Sequence, residues 1–595
     1  MIDKNLFETQ RESSFRKRSR RKFLEKILGI TALGFFFRIL PGQSAAINGD
    51  KIIDENNPKL KNKDCLWLFS EGFSSTQGFD NWYYKEWNGT TYHPMTWNAG
   101  NKLWQGNQPL CMIADRWLHP SDHDAVIAWQ APRSGSVCIS GNVRRVVTYG
   151  PSQERRVEFR GDGIRFKIMK NNEQVWPSQG WQEMYIEPYM GSYENPSKEY
   201  TYGGCSVKHI LVTLVNTGDM IYFHANKRTE PDYDRVEWIP EIEYDEIPWY
   251  TTDKMEIVMR PDDLKRIGVH TFDGSFGVLP DGSGSCYWWM SEWNGTLHYK
   301  LHGPLDNPSK ILVWEKNEKE FWEDFNLPKG HAWLINLYHD TATGNLLAFI
   351  HYEHITPDNF KIGLAVSKNK GETFKLLGFI LESEEDTESN VGKGNMFGAP
   401  YIIKDGYFYV YYGDNGNSEG TLHVRPAVAR SPVSEVLKAA DHYQLSPWSK
   451  YYNGKWDEPG LGGKASQLFD SRLILHGDAA YSTFNETYYL SGYGQGDKER
   501  GVFLSRSKDG IKWEQTWLVD NSNMDVLCPY ITIVNFDGTD NAKVGKEFYV
   551  FWSFGSEWSL DYNTPIANYG LQTLYRQKVV LSKTKKETKE INSNY

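Results

Sequence analysis

The chain of 595 residues is 39% hydrophobic and 24% charged, enough to bury the cores of more than one domain and unlike a disordered polymer. Trp 23, Tyr 35 and Phe 29, beside Gly 52, favour pleated strands and tight turns and disfavour coiled coils or helical bundles. The formal net charge of -10, with no basic stripe in the body of the chain, argues against a nucleic-acid partner, whose phosphates need clustered Lys and Arg.

Residues 1–46 stand apart from the fold. They carry Lys4, Arg11, Arg16, Lys17, Arg18, Arg20, Arg21, Lys22, Lys26 and Arg38 against Asp3, Glu8, Glu12 and Glu25. The run Ser19-Arg20-Arg21-Lys22-Phe23-Leu24-Glu25-Lys26 leads into an apolar stretch over 27–40 and then into Ser44-Ala45-Ala46. This resembles a twin-arginine export signal cleaved after Ala46. The apolar stretch is shorter than the ~20 residues of a membrane span, and Arg38 interrupts it. The expectation is a folded, exported chain in the periplasm or outside the cell, with no membrane span once processed. Residues 47–64 read as a linker. Cys65, Cys111, Cys138, Cys205, Cys286 and Cys528 show no metal or CxxC spacing and read as buried thiols, with one disulfide in the first domain as the alternative.

Over 65–245, short β-rich runs alternate with turn clusters, as in Ser136-Val137-Cys138-Ile139-Ser140, in 163–169 before Asn171-Asn172, and in Met220-Ile221-Tyr222-Phe223-His224. That pattern predicts an antiparallel β-sandwich. Phe73-Ser74-Ser75-Thr76-Gln77-Gly78 with Trp82-Tyr83-Tyr84, Trp104 with Gly106, His119-Pro120, Trp129-Gln130-Ala131-Pro132, Gly161-Asp162-Gly163 and Trp176-Pro177 resemble the jelly-roll, carbohydrate-binding-like modules appended to bacterial polysaccharide-degrading enzymes. The resemblance implies a non-catalytic module that holds sugar on exposed rings, because axial C–H groups pack on an aromatic face. Trp82 and Trp104 are the leading platforms, with Tyr84, Trp87 and Trp117 as further candidates. Each of these rings has the core of the sandwich as its plainer reading, since such a core also needs aromatics.

After a join at 246–253, residues 254–585 change rhythm. Five segments share one plan: a strand, a turn at Asp, Asn or Gly, and an aromatic return strand. They run Gly277-Val278-Leu279-Pro280 into Tyr287-Trp288-Trp289-Met290; 334–338 into 346–350; 400–404 into Phe408-Tyr409-Val410-Tyr411-Tyr412; 480–484 into Tyr488-Tyr489-Leu490; and 529–534 into Phe548-Tyr549-Val550-Phe551-Trp552. Spaced repeats of this kind predict a five-bladed β-propeller of about four strands per blade. The fold class is therefore all-β, a sandwich followed by a propeller, with 586–595 as a disordered tail. A short helix is expected over 432–440, with Ser431 as its cap and Pro432 at its first position. Ser367-Lys368-Asn369-Lys370-Gly371-Glu372-Thr373-Phe374 and Ser507-Lys508-Asp509-Gly510-Ile511-Lys512-Trp513 resemble the Asp-box hairpins of sialidase-like and arabinanase-like propellers, which implies a structural role.

Inner strands of a propeller converge on an axial funnel, so the residues just before each one face a common cavity. Those approaches hold Asp273, His331 with Trp333, Asn395, His476 with Asp478, and residues 525–528. Glycoside hydrolysis needs two carboxyl groups flanking the bond, one as acid and one as base or nucleophile. The five-bladed layout resembles the arabinanase-like, β-xylosidase-like and levanase-like glycoside hydrolases. The resemblance implies an Asp at the first blade, a second Asp at the second and an acid Glu at the third. Asp273 matches the first position. The second blade has His331 and Trp333 there, with Glu353 between His351 and His354 in the next strand. The third offers Asn395 and no Glu, so Glu458 of Trp456-Asp457-Glu458-Pro459 is the substitute acid.

The candidate catalytic set is thus Asp273, Glu353, Glu458, Asp478 and His476, with His331, Trp333, Asn395, Trp82 and Trp104 binding substrate. Each has a plainer reading. Asp273 suits a turn with Gly274, Glu458 a solvated loop, His476 and Asp478 a mutually satisfied brace between blades, and Glu353 an internal hydrogen-bond network. No metal motif is present and no cofactor is expected, save a Ca2+ that funnel carboxylates and carbonyls could hold. The expected activity is an exported glycoside hydrolase acting on a polysaccharide or oligosaccharide. A non-catalytic carbohydrate-binding or surface-adhesion protein is the alternative, and a polysaccharide lyase a third.

Overall fold

A computed structural model describes residues 65–145, 147–149, 155–157, 162–187, 202–203, 206–231, 234–269, 275–281, 283, 285–292, 295–304, 311–324, 330–354, 360–384, 396–414, 425–469, 472–495, 500–520, 530–535, 542–554 and 573–583. The expected export signal, first linker and tail lie outside these residues, as do Asp273 and Asn395.

Between Leu66 and Tyr244 the strands form two antiparallel sheets of nine and eight strands, with a separate two-stranded ribbon. The eight-stranded sheet runs in the order Tyr202–Gly203, Gln182–Glu187, Gly163–Lys170, Met220–Lys227, Asp124–Gln130, Trp82–Trp87, Tyr92–Pro94, with Glu173–Trp176 beside Gly163–Lys170. Period-two alternation sets its faces. In Trp82–Trp87, Trp82, Tyr84 and Glu86 point into the core while Tyr83, Lys85 and Trp87 point out. Trp82, Trp129, Trp176 and Trp238 fill the interior and are fully buried.

His209 is fully buried there too, its Nε2 accepting from Trp238 Nε1 at 2.9 Å. Burial pulls its imidazole down to about 3. The unfolded chain protonates this group below its ordinary value of ~6.5, whereas the folded chain stays neutral until about pH 3. Its contribution to stability is therefore complete above pH 6.5 and falls by up to ~1.4 kcal/mol per unit as pH drops through that window. Thermal melts at pH 7 and pH 5 are expected to show a drop that His209→Gln reduces.

The remaining strands form five sheets of four to six strands, antiparallel except where Trp322–Glu323 and Lys543–Val544 add in parallel at an edge, the five blades of a propeller. Blade 1 comprises Gly277–Pro280, Ser285–Ser291, Leu297–Pro304 and Leu312–Asn317. Blade 2 starts at Gly330–His339 and Leu346–His354, blade 3 at Met396–Phe397 with Tyr401–Lys404, and blade 4 at Arg472–Ser482. Blade 5 runs Thr532–Asn535, Glu547–Phe554, Thr573–Leu581 and then Tyr250–Met259. The first strand of this half thus lies outermost in the last blade, in register with Thr573–Leu581 from Tyr250↔Leu581. This closes the ring with main-chain hydrogen bonds.

The same Tyr250–Met259 strand joins the two halves. Ile210 N donates to Thr252 Oγ1 at 3.1 Å, Met255 N to Gln182 Oε1 at 2.8 Å, and Trp176 Nε1 to Thr252 O at 3.1 Å. Lys208 Nζ reaches Trp517 O of blade 4 at 2.7 Å. One hydrophobic cluster runs from Trp67 of the first sheets to Leu581 of blade 5.

The two Asp-box-like turns brace adjacent blades. Asn369 Oδ1 accepts from Thr373 N at 3.0 Å, and Asp509 Oδ1 from Ile511 N and Lys512 N at 2.8 and 2.7 Å. In each turn a glycine carbonyl takes a bond from the preceding blade: Trp289 Nε1 to Gly371 O at 2.9 Å, and Tyr411 OH to Gly510 O at 2.8 Å.

The expected helix occurs one residue later, at Val433–Asp441, with Pro432 in the capping position and no side-chain cap. Ser431 instead bonds Ser446 Oγ at 3.1 Å and Pro447 O at 2.7 Å, because strand Arg425–Pro432 holds its backbone extended to the end. Pro261–Arg266, Glu318–Phe321 and Phe69–Gly72 are short helices that the strand rhythm concealed.

Candidate functional site

Side chains from blades 2 to 5 gather at the end of the axis where the inner strands begin. The His351 ring lies 5.9 Å from Trp333, 5.5 Å from Phe360, 6.0 Å from Phe397 and 5.6 Å from His476. His476 in turn lies 5.8 Å from Phe397 and 5.6 Å from Tyr530. Glu353 Oε1 is 3.2 Å from His351 Nε2, and its side chain keeps 14% of its surface in contact with solvent. His351 is buried, and its other nitrogen, Nδ1, has no hydrogen-bond partner among the described residues. The mouth of the funnel is therefore walled by rings, with Glu353 and the half-buried His476 among its accessible polar groups.

Local backbone irregularities create this arrangement. In blade 2 the register shifts between Leu334 and Asn336, and in blade 4 between Ile474 and Asp478. Such bulges re-aim side chains. Gly477 lies in the second bulge, and a Cβ there would meet Ser491 O at 2.0 Å. The result separates two neighbours: His476 faces the rings at the mouth, while Asp478 turns onto the axis below.

Asp478 is 2% exposed. Its Oδ1 accepts from Asn336 Nδ2 at 3.2 Å and from Ala479 N at 2.8 Å, and its Oδ2 accepts from Ile533 N at 3.1 Å. Ser275 Oγ and Asn336 Nδ2 also donate to Gly477 O, at 2.9 and 3.3 Å, and Phe276 N donates to Thr532 Oγ1 at 2.9 Å. Blades 1, 2, 4 and 5 are thus tied by one polar plug, and Asp478 is its centre. Two of its donors, Asn336 and Ile533, belong to other blades, so the expected brace reaches beyond His476.

Glu458 is corrected more strongly. It lies on Lys455–Pro459, the outermost strand of blade 3, opposite Lys450 in register. Its Oε2 accepts from Lys464 N at 3.0 Å. It closes a local turn at the blade's rim, away from the axis, and cannot serve as the third-blade acid. His331 and Trp333 stand between blades 1 and 2: His331 Nδ1 contacts Glu318 Oε2 at 2.5 Å, and Trp333 Nε1 donates to Glu292 O at 2.9 Å. Trp333 is 4% exposed, so it walls the funnel by its edge.

The two leading platforms of the first module are core residues. Trp82 packs edge-on against Phe69 at 5.4 Å, and Trp104 stacks on Tyr84 at 4.7 Å while donating to Ser74 O. Neither ring offers a face to a sugar, because both point between the two sheets. Trp87, by contrast, is on the outer face. Phe360 and Tyr530 were not singled out from the sequence. Their placement depends on contacts between blades, and only the proximity of Tyr530 to an inner strand pointed to it. No three His, Cys, Asp or Glu side chains converge among the described residues. No helix among them is long and apolar enough to cross a membrane.

No family model matches the sequence, and no curated protein matches it. Solved structures are similar over about half the chain. A thermostable family-43 glycoside hydrolase is 12% identical, covering 51% of this chain and 87% of its own, with a TM-score of 0.32. The catalytic domain of the Coprinopsis cinerea GH62 alpha-L-arabinofuranosidase is 10% identical over 56% of this chain and 98% of its own, with a TM-score of 0.34. A family 117 glycoside hydrolase of Zobellia galactanivorans is 13% identical over 52% and 85%, with a TM-score of 0.33.

Proposed function

We propose that the protein is an exported glycoside hydrolase that cleaves a polysaccharide or oligosaccharide in the propeller funnel. One observation carries this reading: rings from four blades wall a single mouth, and Glu353 joins them through His351. Ring-walled mouths suit sugars, whose C–H faces pack on aromatics while hydroxyls seek a few polar groups. Glu353 supplies one of the two carboxyl groups that hydrolysis needs, and His351 at 3.2 Å orients it. Asp273, on the approach to blade 1, is the proposed second carboxyl. Asp478 is left to its structural role, and Glu458 to its turn. The basic and apolar leader at 1–40, followed by Ser44-Ala45-Ala46, supports export through the twin-arginine route, which carries folded proteins.

The test is a panel of neutral and acidic glycans assayed for released reducing ends with the mature chain. Glu353→Gln and Asp273→Asn are each expected to lower kcat by about 100-fold or more, the usual scale of general acid–base catalysis, while Glu458→Gln leaves it unchanged. Full turnover by Glu353→Gln would remove the assignment. Binding without turnover on every glycan would establish a carbohydrate-binding protein in its place.

A further inference from the structure

The outward face of the eight-stranded sheet carries a second, independent constellation. Strand register sets Lys85 opposite Val126, Val126 opposite His224, and His224 opposite Lys167. Four strands spaced by about 4.8 Å put the two lysine backbones ~14 Å apart across the sheet. The neighbouring row holds Tyr83 opposite Ala128, Ala128 opposite Tyr222, and Tyr222 opposite Met169. Small residues in Asp124–Gln130 therefore form a floor between long aromatic and cationic side chains.

Most polar groups on this face satisfy one another. Tyr92 OH lies 2.8 Å from His224 Nε2, and His224 Nδ1 lies 2.9 Å from Asp124 Oδ2. Asn226 donates to the other Asp124 oxygen and accepts from Arg165 Nε at 2.6 Å. This chain of bonds locks Tyr92 flat on Tyr222, with ring centroids 4.0 Å apart. The buried carboxylate is thereby engaged by His224 and Asn226 and forms no ion pair with a lysine among the described residues. Glu183, the face's other carboxylate among the described residues, stands opposite Arg165.

The two lysines differ from their counterparts elsewhere. Lys227, Lys300 and Lys368 each pair with a carboxylate. Lys85 and Lys167 have no ion pair or hydrogen bond among the described residues. Lys85 Nζ sits 5.8 to 6.0 Å from the rings of Tyr83, Tyr92 and Tyr222, and Lys167 Nζ sits 4.3 Å from the ring of Trp181. Burial lowers the pKa of both ammonium groups, and at Lys167 the attraction of Asp124 does not outweigh it, the direction expected of cations that have lost more water than an anion restores. A chain with 76 acidic residues against 66 basic ones has carboxylates in excess, yet among the described residues none forms an ion pair with either lysine; the carboxylate that acts on Lys167 is Asp124, which His224 and Asn226 already engage.

We propose that this face binds an acidic polysaccharide, whose sugar rings lie on Tyr83, Trp87 and Trp181 and whose carboxylate or sulfate groups meet Lys85 and Lys167. Half-buried aromatic faces supply the surface for the sugar, and the two unpaired cations supply the charge complement. The site is separate from the funnel and does not depend on hydrolysis there.

The test is affinity electrophoresis of the full mature chain in gels containing polygalacturonate, dextran sulfate or neutral arabinan, with thermal melts of every variant. Retardation is expected with an acidic polymer and not with arabinan. Retention by polygalacturonate alone assigns a carboxylate ligand, and by dextran sulfate alone a sulfate one. Lys85→Met with Lys167→Met should weaken retention tenfold or more at an unchanged melting point. If the double variant does not fold, Lys167→Glu alone should weaken it several-fold. Glu353→Gln, in the funnel, should retain binding. Undiminished affinity in a folded lysine variant, equal retardation by arabinan, or loss of binding in Glu353→Gln would each overturn the proposal.

Discussion

Asp478→Asn is expected to destabilise the propeller by about 3 kcal/mol, seen as a lower midpoint of thermal or denaturant unfolding. The carboxylate is buried on the axis and accepts from Asn336 Nδ2, Ala479 N and Ile533 N. An amide can present only one oxygen. Whichever way it turns, its NH2 faces either the Ile533 amide or the Asn336 side chain, so a buried donor loses its acceptor and meets another donor. Both lost partners belong to other blades, and the cost therefore falls on the closure of the ring. A variant with a normal midpoint and no turnover would instead make Asp478 a catalytic residue and return it to the role its position in the sequence suggested.

Gly371→Ala is expected to cost at least as much, about 3 to 4 kcal/mol. Gly371 has φ of +75°, and a Cβ there would lie 2.4 Å from Trp289 Cζ2 and 2.6 Å from its Cε2. Trp289 is fully buried and is held by its own bond to Gly371 O, so the ring cannot retreat without breaking the contact between blades 1 and 2. Gly510 is the matched control. It has the same φ of +75°, but its added Cβ would meet the Tyr411 hydroxyl at 3.0 Å and Ile402 Cδ1 at 3.2 Å. Small movements of those groups relieve such contacts, and Gly510→Ala should cost about half as much. Equal midpoints for the two variants would show that backbone conformation alone, and not packing between blades, sets the cost.

The two turns also show what could be read early. Ser, Asn or Asp, Gly and a following aromatic are local features, and the hydrogen bonds that nearby amides donate to Asn369 and Asp509 span four residues or fewer. What they brace is not local. Trp289 lies 82 residues before Gly371 and Tyr411 lies 99 before Gly510, so no pattern near either glycine names its partner.

The candidate site divides along the same line. Funnel approaches were legible because an inner strand must follow them, and His331, Trp333, Glu353, His476 and Asp478 do lie on the inner strands or their partners in blades 2 and 4. Glu458 was misplaced because the sequence shows an acidic loop without showing that its strand is the last of its blade. His476 and Asp478, two residues apart, read as one mutually satisfied pair or as joint catalytic candidates. The bulge between Ile474 and Asp478 sends them to different neighbours.

By itself, the sequence determined the all-β class, the five hairpins and the aromatic second strands, since alternation and turn chemistry act over a few residues. It could not determine which rings face water. Trp82 and Tyr83 are adjacent and similarly aromatic, yet one packs in the core and the other lines the outer face beside Lys85. That choice depends on which side of the sheet meets a second sheet. The ring at the funnel mouth, the polar plug around Asp478 and the lysines without carboxylates likewise arise only when strands far apart in the chain pair. Tertiary structure decides them because burial and charge compensation are properties of neighbours in space.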